Sequence, residues 1–412
     1  MHSVETRASW VVAWTALAVM SVSYGAPQVV VVALKPIAET LGARELPALG
    51  YALAWLGTAV GGIAMGTIAE RIGVRWTVAF GGVMVAVGLV IASGGSAWQL
   101  IVGHGVFIGL LGNAGLNAPL YVYVSRWFDR RRGTALALIS SGQSVAGTIW
   151  PSVFAQAIAA YGWQQTMLMF AGLEVLLVAP VALLVLREPP EAAFAGIAAS
   201  GPRVGDTVLG LRPNVALLLL AIAGFCCCVP MAMPQGHLVA FCSDVGIAPT
   251  QGAAMLSVLL GCAFFSRQFW GWMADRIGGL HTILAGSVIQ FVAMTGFLLT
   301  RNELGLFGVS ILFGFGFSGM IPAYVLAVRE LFPAAEAKWR VPSLLLFSGS
   351  GMAAGGWLAG WIFDHAGFYG AAFAVGLAFN AVNMVIIGLL VMQSRQENRM
   401  APAGAGVAVG DR

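Results

Sequence analysis

Apolar and polar positions alternate along this chain on a long scale. Apolar stretches bounded by charges, Pro or Gly clusters recur at about 10–34, 48–69, 74–93, 98–124, 133–160, 163–186, 213–242, 251–274, 279–300, 304–328, 341–363 and 369–392. These lengths suit helices, since a bilayer needs roughly 20 residues at about 1.5 Å rise each. Barrel strands would be alternating segments of about 10 residues, a different pattern. The reading is an all-α integral membrane protein with twelve transmembrane helices. An even number puts both termini on one face.

Most polar connections are short. The exceptions are residues 187–212, with Arg187, Glu188, Pro189, Pro190, Arg203 and Arg212, and an Ala/Gly-rich tail from Gln393 that is expected to be disordered. The chain therefore divides into a six-helix bundle (1–186), a central cytoplasmic loop (187–212), a second six-helix bundle (213–392) and a cytoplasmic tail (393–412).

Composition agrees with this division. Hydrophobic residues make up 59% and charged residues 9%, against about 25% charged in soluble domains. The 54 glycines have no three-residue period, which excludes collagen. The first apolar stretch follows Met1–Ser9 without a cleavage signal and reads as a retained helix. Cys226, Cys227, Cys228, Cys242 and Cys262 include no C-x-x-C pair, so they read as packing residues, not a zinc site or disulfide framework.

Lys and Arg placement sets the orientation. With the termini inside, seventeen basic residues fall in cytoplasmic segments, against Lys35, Arg44 and Arg301 outside. The positive-inside rule thus puts both termini in the cytoplasm, and the expected location is a plasma membrane, the inner membrane of a bacterium. One basic residue, Arg267, is left inside a helix.

The two halves repeat. Residues 66–73 read GTIAERIG and residues 271–278 read GWMADRIG, an offset of 205. Ser141-Gly142 and Ser348-Gly349, and Gly162-Trp163 and Gly367-Phe368, keep nearly the same step. Parallel duplication of six helices is an architecture of secondary transporters, with substrate near the midplane between the halves. The G-x-x-A-[DE]-R-x-G pattern resembles the loop signature of the major facilitator superfamily. That resemblance implies gating and structural roles for Gly66, Glu70, Arg71, Arg75, Gly271, Asp275 and Arg276. The segments RWFDRRRGTALALISSGQSVAG (126–147) and SRQFWGWMADRIGG (266–279) narrow the resemblance to the monocarboxylate porters and oxalate:formate antiporters.

Arg267 is the leading site residue. It lies eight residues before Asp275, roughly 12 Å inside the helix end by rise. A mid-helix Arg costs at least about 2.5–3.5 kcal/mol to insert and ordinarily faces a cavity or a partner. Its planar guanidinium matches a carboxylate, so the expected ligand is a small organic anion. In the resembled porters an Arg in this SR-x-x-WG context binds the substrate carboxylate.

Further candidates surround it. His237 stands thirty residues before Arg267, the spacing of the bacterial porters, and is expected to face the entering anion and to titrate with it. Asn113, Asn117 and Tyr121 form a polar stripe on the fourth helix. Such a stripe either meets substrate or bonds helix to helix. In the first helix, Tyr24 and Gln28 belong to Ser23-Tyr24-Gly25-Ala26-Pro27-Gln28, where the animal proton-coupled transporters read S-Y-x-x-P-K. Their aspartate four residues before the Arg is Ala263 here, so both of that branch's coupling residues are missing. Ser348 stands where the oxalate transporter has a second cation, which favours one carboxylate over two. With Gln28 and Ala263 unable to titrate, a coupled proton would ride on His237, the favoured carrier, on Glu174 in the sixth helix, or on the substrate. Glu174 otherwise packs as a neutral acid, and His104 reads as structural.

Other functions lack support in the sequence. No catalytic or cofactor motif is present, and GFGFSG (314–319) lies inside an apolar helix with no strand before it, so its glycines read as helix-packing positions. Neither nucleic acid nor a cofactor is expected, and a monomer is. The leading expectation is secondary active transport of a small monocarboxylate by alternating access, with possible proton coupling. Efflux of amphipathic molecules and a membrane receptor without transport are the alternatives.

Overall fold

The computed structural model describes residues 5–128, 131–186 and 207–400. Twelve helical spans account for nearly all of them. In the first half these are α1 (Arg7–Val32, extended by Leu34–Leu41), α2 (Glu45–Ile72), α3 (Val74–Ala92), α4 (Ala97–Ser125), α5 (Arg132–Ser140, then Gly142–Tyr161) and α6 (Trp163–Val185). The second half holds α7 (Pro213–Asp244), α8 (Pro249–Ile277), α9 (Gly279–Leu299), α10 (Glu303–Leu331), α11 (Ala334–Ala366) and α12 (Tyr369–Met400). Among the described residues the only strand-like feature is an isolated bridge between Val208 and Leu211. Most of the expected central loop, residues 187–206, lies outside the described residues.

The spans match the sequence pattern in number and order. Ten are long and apolar enough to cross a membrane; α5 and α11 are not. These two are equivalents in the internal repeat, and each packs across the boundary between the halves, α5 on α8 and α11 on α2. Facing the other half spares them from lipid, so polar positions such as Gln143 and Ser348 are tolerated. Lipid-facing positions elsewhere are apolar and open: Leu176 and Leu184 on α6 and Leu299 on α9 are each 73–75% exposed.

The repeated glycines have a backbone reason. Gly73 (φ +91°) and Gly278 (φ +79°) end α2 and α8 in a region that side chains avoid. Gly162 (φ +82°) and Gly367 (φ +79°) do the same for α5 and α11. Each glycine reverses the chain within a residue or two, so the next helix starts at once. The repeat is visible in sequence because these four turns demand the same residue.

Besides α5, interrupted at Ser141, two helices are irregular where the candidate site lies. α1 breaks at Tyr24, just before Gly25 and Pro27, and Pro27 has no N–H to donate back to Ser23. α4 opens into a π-helical stretch over Gly103–Asn113, a widening often found at functional positions. The GFGFSG glycines do serve helix packing. A Cβ on Gly314 would sit 2.1 Å from the Leu259 carbonyl oxygen, so α10 rests directly on the α8 backbone. α12 runs on to Met400, past the expected tail start at Gln393. Residues 393–400 are Gln, Ser, Arg, Glu, Asn and Met, mostly good helix formers, and the Ala/Gly/Pro composition begins only at 401. Residues 401–412 lie outside the described residues.

Gly314→Val should lower the thermal stability of the detergent-purified protein, by about 1–3 kcal/mol for overpacking against backbone. Gly308→Val, on the same helix with nothing within 4 Å of the added Cβ, is the control and should melt like the unmodified protein. Equal melting of both variants would disprove the close-packing role.

Candidate substrate site and gate

Arg267 lies on α8 at the boundary with the first half. Its Nη1 donates to the Ser140 carbonyl oxygen on α5 at 2.9 Å, while its buried Nε has no partner. The Ser140 carbonyl is accessible because α5 interrupts its helix at Ser141, freeing a carbonyl near the break. The bond ties the second half to the first, but a neutral carbonyl does not neutralise a guanidinium.

Tyr121 stands beside that guanidinium and is hydrogen-bonded to Ser140. It also neighbours Tyr24, whose hydroxyl oxygen accepts from Asn117 Nδ2 at 2.7 Å. The break in α1 thus turns Tyr24 toward α4. Arg267, Tyr121, Tyr24 and Asn117 are brought into one cluster by three helices, α1 and α4 of the first half and α8 of the second.

A small cavity adjoins the cluster. Tyr24, Gln28, Tyr51, Trp55, Asn113 and Gln143 line it, and the Gln28 and Asn113 side chains are nine-tenths or more buried. Gln28 Oε1 and Asn113 Oδ1 have no hydrogen-bond partner. Sequence reading found Tyr24, Gln28 and Asn113 but missed Tyr51 and Trp55 on α2 and Gln143 on α5. Aromatic residues are ordinary in an apolar span; Gln143, a polar residue in a predicted helix, was the one available signal.

Other candidates sit elsewhere. Ser348 lies between α7 and α11: a Cβ on Gly224 would meet its Oγ at 2.9 Å, and that hydroxyl has no partner. Glu174 is fully buried and accepts a hydrogen bond from Ser23, the residue before Tyr24, while its Oε2 has no partner. His104 is fully buried, with Nδ1 3.1 Å from the Leu100 carbonyl oxygen, which fits the structural reading.

His237 was expected to face an entering anion. The structure instead buries it completely among α7, α11 and α12. Its Nε2 lies 2.8 Å from the Gly356 carbonyl oxygen and so donates to it. Its Nδ1 then accepts from the Tyr369 hydroxyl, 3.0 Å away. Both nitrogens of a neutral ring are satisfied, and neither partner is close in sequence.

Above Tyr369 the two halves are latched on the face opposite the termini. Arg44, before α2, makes a bidentate pair with Asp244 at the end of α7, one bond measuring 2.8 Å. Lys35 Nζ approaches the same carboxylate at 3.4 Å. The Arg44 guanidinium also covers the Phe363 ring at 3.7 Å. Asp364, near the end of α11, accepts from the backbone N–H groups of Arg44 (3.0 Å) and Glu45 (2.7 Å). A carboxylate of one half thereby caps a helix of the other, with favourable dipole geometry.

The family model for the Major Facilitator Superfamily matches residues 13–241 and again 220–408. The chain belongs to the major facilitator superfamily. Among curated relatives, it is similar to rat monocarboxylate transporter 13, with 26% identity over 344 residues, 81% of this chain and 76% of that one. It is also similar to MFS transporter asaE of Aspergillus flavus, with 25% identity over 312 residues, 74% and 68% of the two chains. Among solved structures, a bacterial homologue of the human lysosomal transporter Spinster, inward-facing and occupied, superposes with a TM-score of 0.73 at 16% identity, covering 97% of this chain and all of that one. The peptide transporter POT in complex with sulfate gives 0.73 at 14% identity, covering 94% and 95%. The twelve-helix duplicated architecture is therefore the major facilitator fold.

The superfamily loops differ between the halves. Glu70 pairs with Arg126 at the end of α4 at 3.8 Å, joining the α2–α3 loop to its neighbour. In the second copy the equivalent support comes from Glu330 on α10, whose Oε2 accepts from Gly279 N at 2.9 Å and caps α9. Arg276 lies over the Trp272 ring at 3.9 Å, and Arg71, Arg75 and Asp275 are exposed. Gly66 and Gly271 are loosely surrounded, with no neighbour of an added Cβ closer than 3.9 Å.

Removing the latch should open that face. Spin labels at Glu39 and Ile247, which line the groove of about 590 Å³ between the halves there, should show a longer-distance population. Arg44→Ala or Asp364→Asn should raise it by about 3- to 10-fold, the scale of a partly buried ion pair. Unchanged distance distributions in both variants would mean the latch does not hold the halves together.

Proposed function

We propose that this protein is a secondary active transporter of a small monocarboxylate, working by alternating access in a plasma membrane with both termini cytoplasmic. Arg267 is the residue that holds the carboxylate. One observation carries the reading: among the described residues, a guanidinium between the two halves has only a neutral carbonyl as its hydrogen-bonded partner and a buried, unpartnered Nε. A carboxylate would supply both the missing charge and a side-on acceptor for that nitrogen. The similarity to a protein named monocarboxylate transporter supports the same ligand class.

Alternating access requires a site reachable from either side and a gate that parts. Arg267 contacts both halves, so relative rotation of the halves alters its surroundings. The Arg44–Asp244–Asp364 latch is the gate on the face opposite the termini. With a single unneutralised cation, one carboxylate balances the site, and a second would remain desolvated without a partner.

Glu174 is the favoured proton carrier once the surroundings of both candidates are compared. His237 has both ring nitrogens engaged under the latch, whereas Glu174 has a free oxygen and bonds the residue next to Tyr24. A proton on Glu174 and a carboxylate on Arg267 would then communicate through the α1 break.

Two measurements in proteoliposomes test the proposal. Arg267→Lys should fold and insert yet cut labelled monocarboxylate uptake by at least about 10-fold, because a point charge does not replace a planar fork; uptake with native apparent affinity would refute the carboxylate role. Glu174→Gln should retain exchange but lose the acceleration of net uptake by external acid. Retention of that acceleration in Glu174→Gln, with its loss in His237→Gln, would move the proton to His237.

A further inference from the structure

The latch closes one of two equivalent places where the halves meet on its face. There Asp364, near the end of α11, holds the start of α2, and Gly360 packs so close that an added Cβ would sit 2.8 Å from Ala48. The internal repeat supplies a second such place, between the end of α5 and the start of α8. At the offset of 205 residues the counterparts of Arg44, Gly360 and Asp364 are Pro249, Ala155 and Ala159. None of these three carries a charge, and Pro249 has no N–H to donate. All three line the groove of about 590 Å³ between the halves. The groove is the second latch position, left without a latch.

Its lining is charged at the rim and apolar below. Lys35 and Glu39 lie one turn apart on the Leu34–Leu41 extension of α1. Val239 and Ala155 line it about 7–9 Å below the ends of α7 and α5 by rise. Asp244 neutralises only one of its two basic neighbours, and Arg44 takes both of its oxygens. Lys35 is therefore a surplus cation, with its side chain 38% exposed. Glu39 is exposed and of opposite sign. Among the described residues that line the groove, none is aromatic. Beside the floor, Val153 on α5 is 45% exposed, as lipid-facing positions are elsewhere.

These features select an occupant. An apolar floor running down from a charged rim takes a molecule with a polar head and an apolar chain, and a groove of this volume accommodates a ligand of moderate size. Lys35 offers a point charge suited to phosphate. Glu39 offers carboxylate oxygens to a positively charged donor one turn away. A quaternary ammonium is recognised by aromatic faces, which this groove lacks, whereas a primary ammonium donates directly to a carboxylate.

We propose that the groove binds a phospholipid with a primary-ammonium headgroup, drawn from the leaflet on the latched face. The phosphate sits on Lys35, the ammonium on Glu39, and the upper part of one acyl chain on the floor at Val239 and Ala155. The lipid bridges α1 and α5 of the first half to α7 and α8 of the second, so it fastens this boundary as Asp364 fastens the other. The site holds whatever substrate Arg267 selects.

The test uses the purified full-length protein in detergent, titrated with phosphatidylethanolamine, phosphatidylcholine or phosphatidylglycerol of identical chains. Native mass spectrometry counts the bound lipid, and thermal melting reports stabilisation. Phosphatidylethanolamine should bind about 2- to 5-fold more tightly than either of the others, the scale of one partly exposed ion pair. Glu39→Gln should abolish its advantage over phosphatidylglycerol. Ala159→Trp, which fills the groove without removing a charge, should bring its binding and stabilisation down to the level of the other two lipids. If Ala159→Trp does not fold, Glu39→Gln, at an exposed position, decides alone. Equal binding of phosphatidylethanolamine and phosphatidylglycerol overturns the headgroup assignment, and so does equal binding of phosphatidylethanolamine and phosphatidylcholine. A preference that survives either substitution puts the lipid elsewhere on the protein and overturns the site.

Discussion

A guanidinium held between two halves of a membrane protein, with no carboxylate paired to it among the described residues, constrains the surrounding design. Arg267 can remain there only while something polar meets it, and in this structure that is one backbone carbonyl of α5. The interruption of α5 at Ser141 supplies that carbonyl, and Tyr121 of α4, with Tyr24 and Asn117 next to it, stands at the same place. The low apolarity of α5 and α11 follows from the same geometry, because helices that face a polar seam need not dissolve in lipid. Cation, broken helices and polar seam form one arrangement.

Much of the fold was legible in the sequence because the membrane imposes it. Spanning length and apolarity fix the helices, and the four positive-φ glycines at equivalent turns fix the repeat. Arg267 was legible as a charge inside an apolar run. The latch was not, because Arg44 lies 320 residues from Asp364 and 200 from Asp244, and all three look like ordinary polar helix ends. The spacing of His237 matched that of the porters, but its two partners are 132 and 119 residues away, so its satisfied, buried state could not be read. Tyr51 and Trp55 carried no signal, since aromatic residues are common wherever a helix is apolar.

The two halves share backbone geometry but not side-chain solutions. Turns at Gly73 and Gly278 are nearly the same, yet one loop is supported by an ion pair between side chains and the other by a carboxylate capping a helix. The small cavity is lined by the N-terminal half alone, whereas Arg267, the cation at the boundary, belongs to the C-terminal half. Duplication preserved the scaffold while chemistry was divided between the copies.

The cap that Asp364 places on α2 has a consequence for how that face can open. The two N–H groups it accepts belong to the backbone, at the start of a helix whose own geometry provides them no acceptor. Parting the halves strips these donors of their partner, and only solvent can replace it. Opening is therefore inseparable from wetting: the seam cannot widen as a dry crack but must admit water to the first turn of α2 as it separates. Agents that lower water activity would then bias the molecule toward the latched state without touching either the latch side chains or the proposed substrate site.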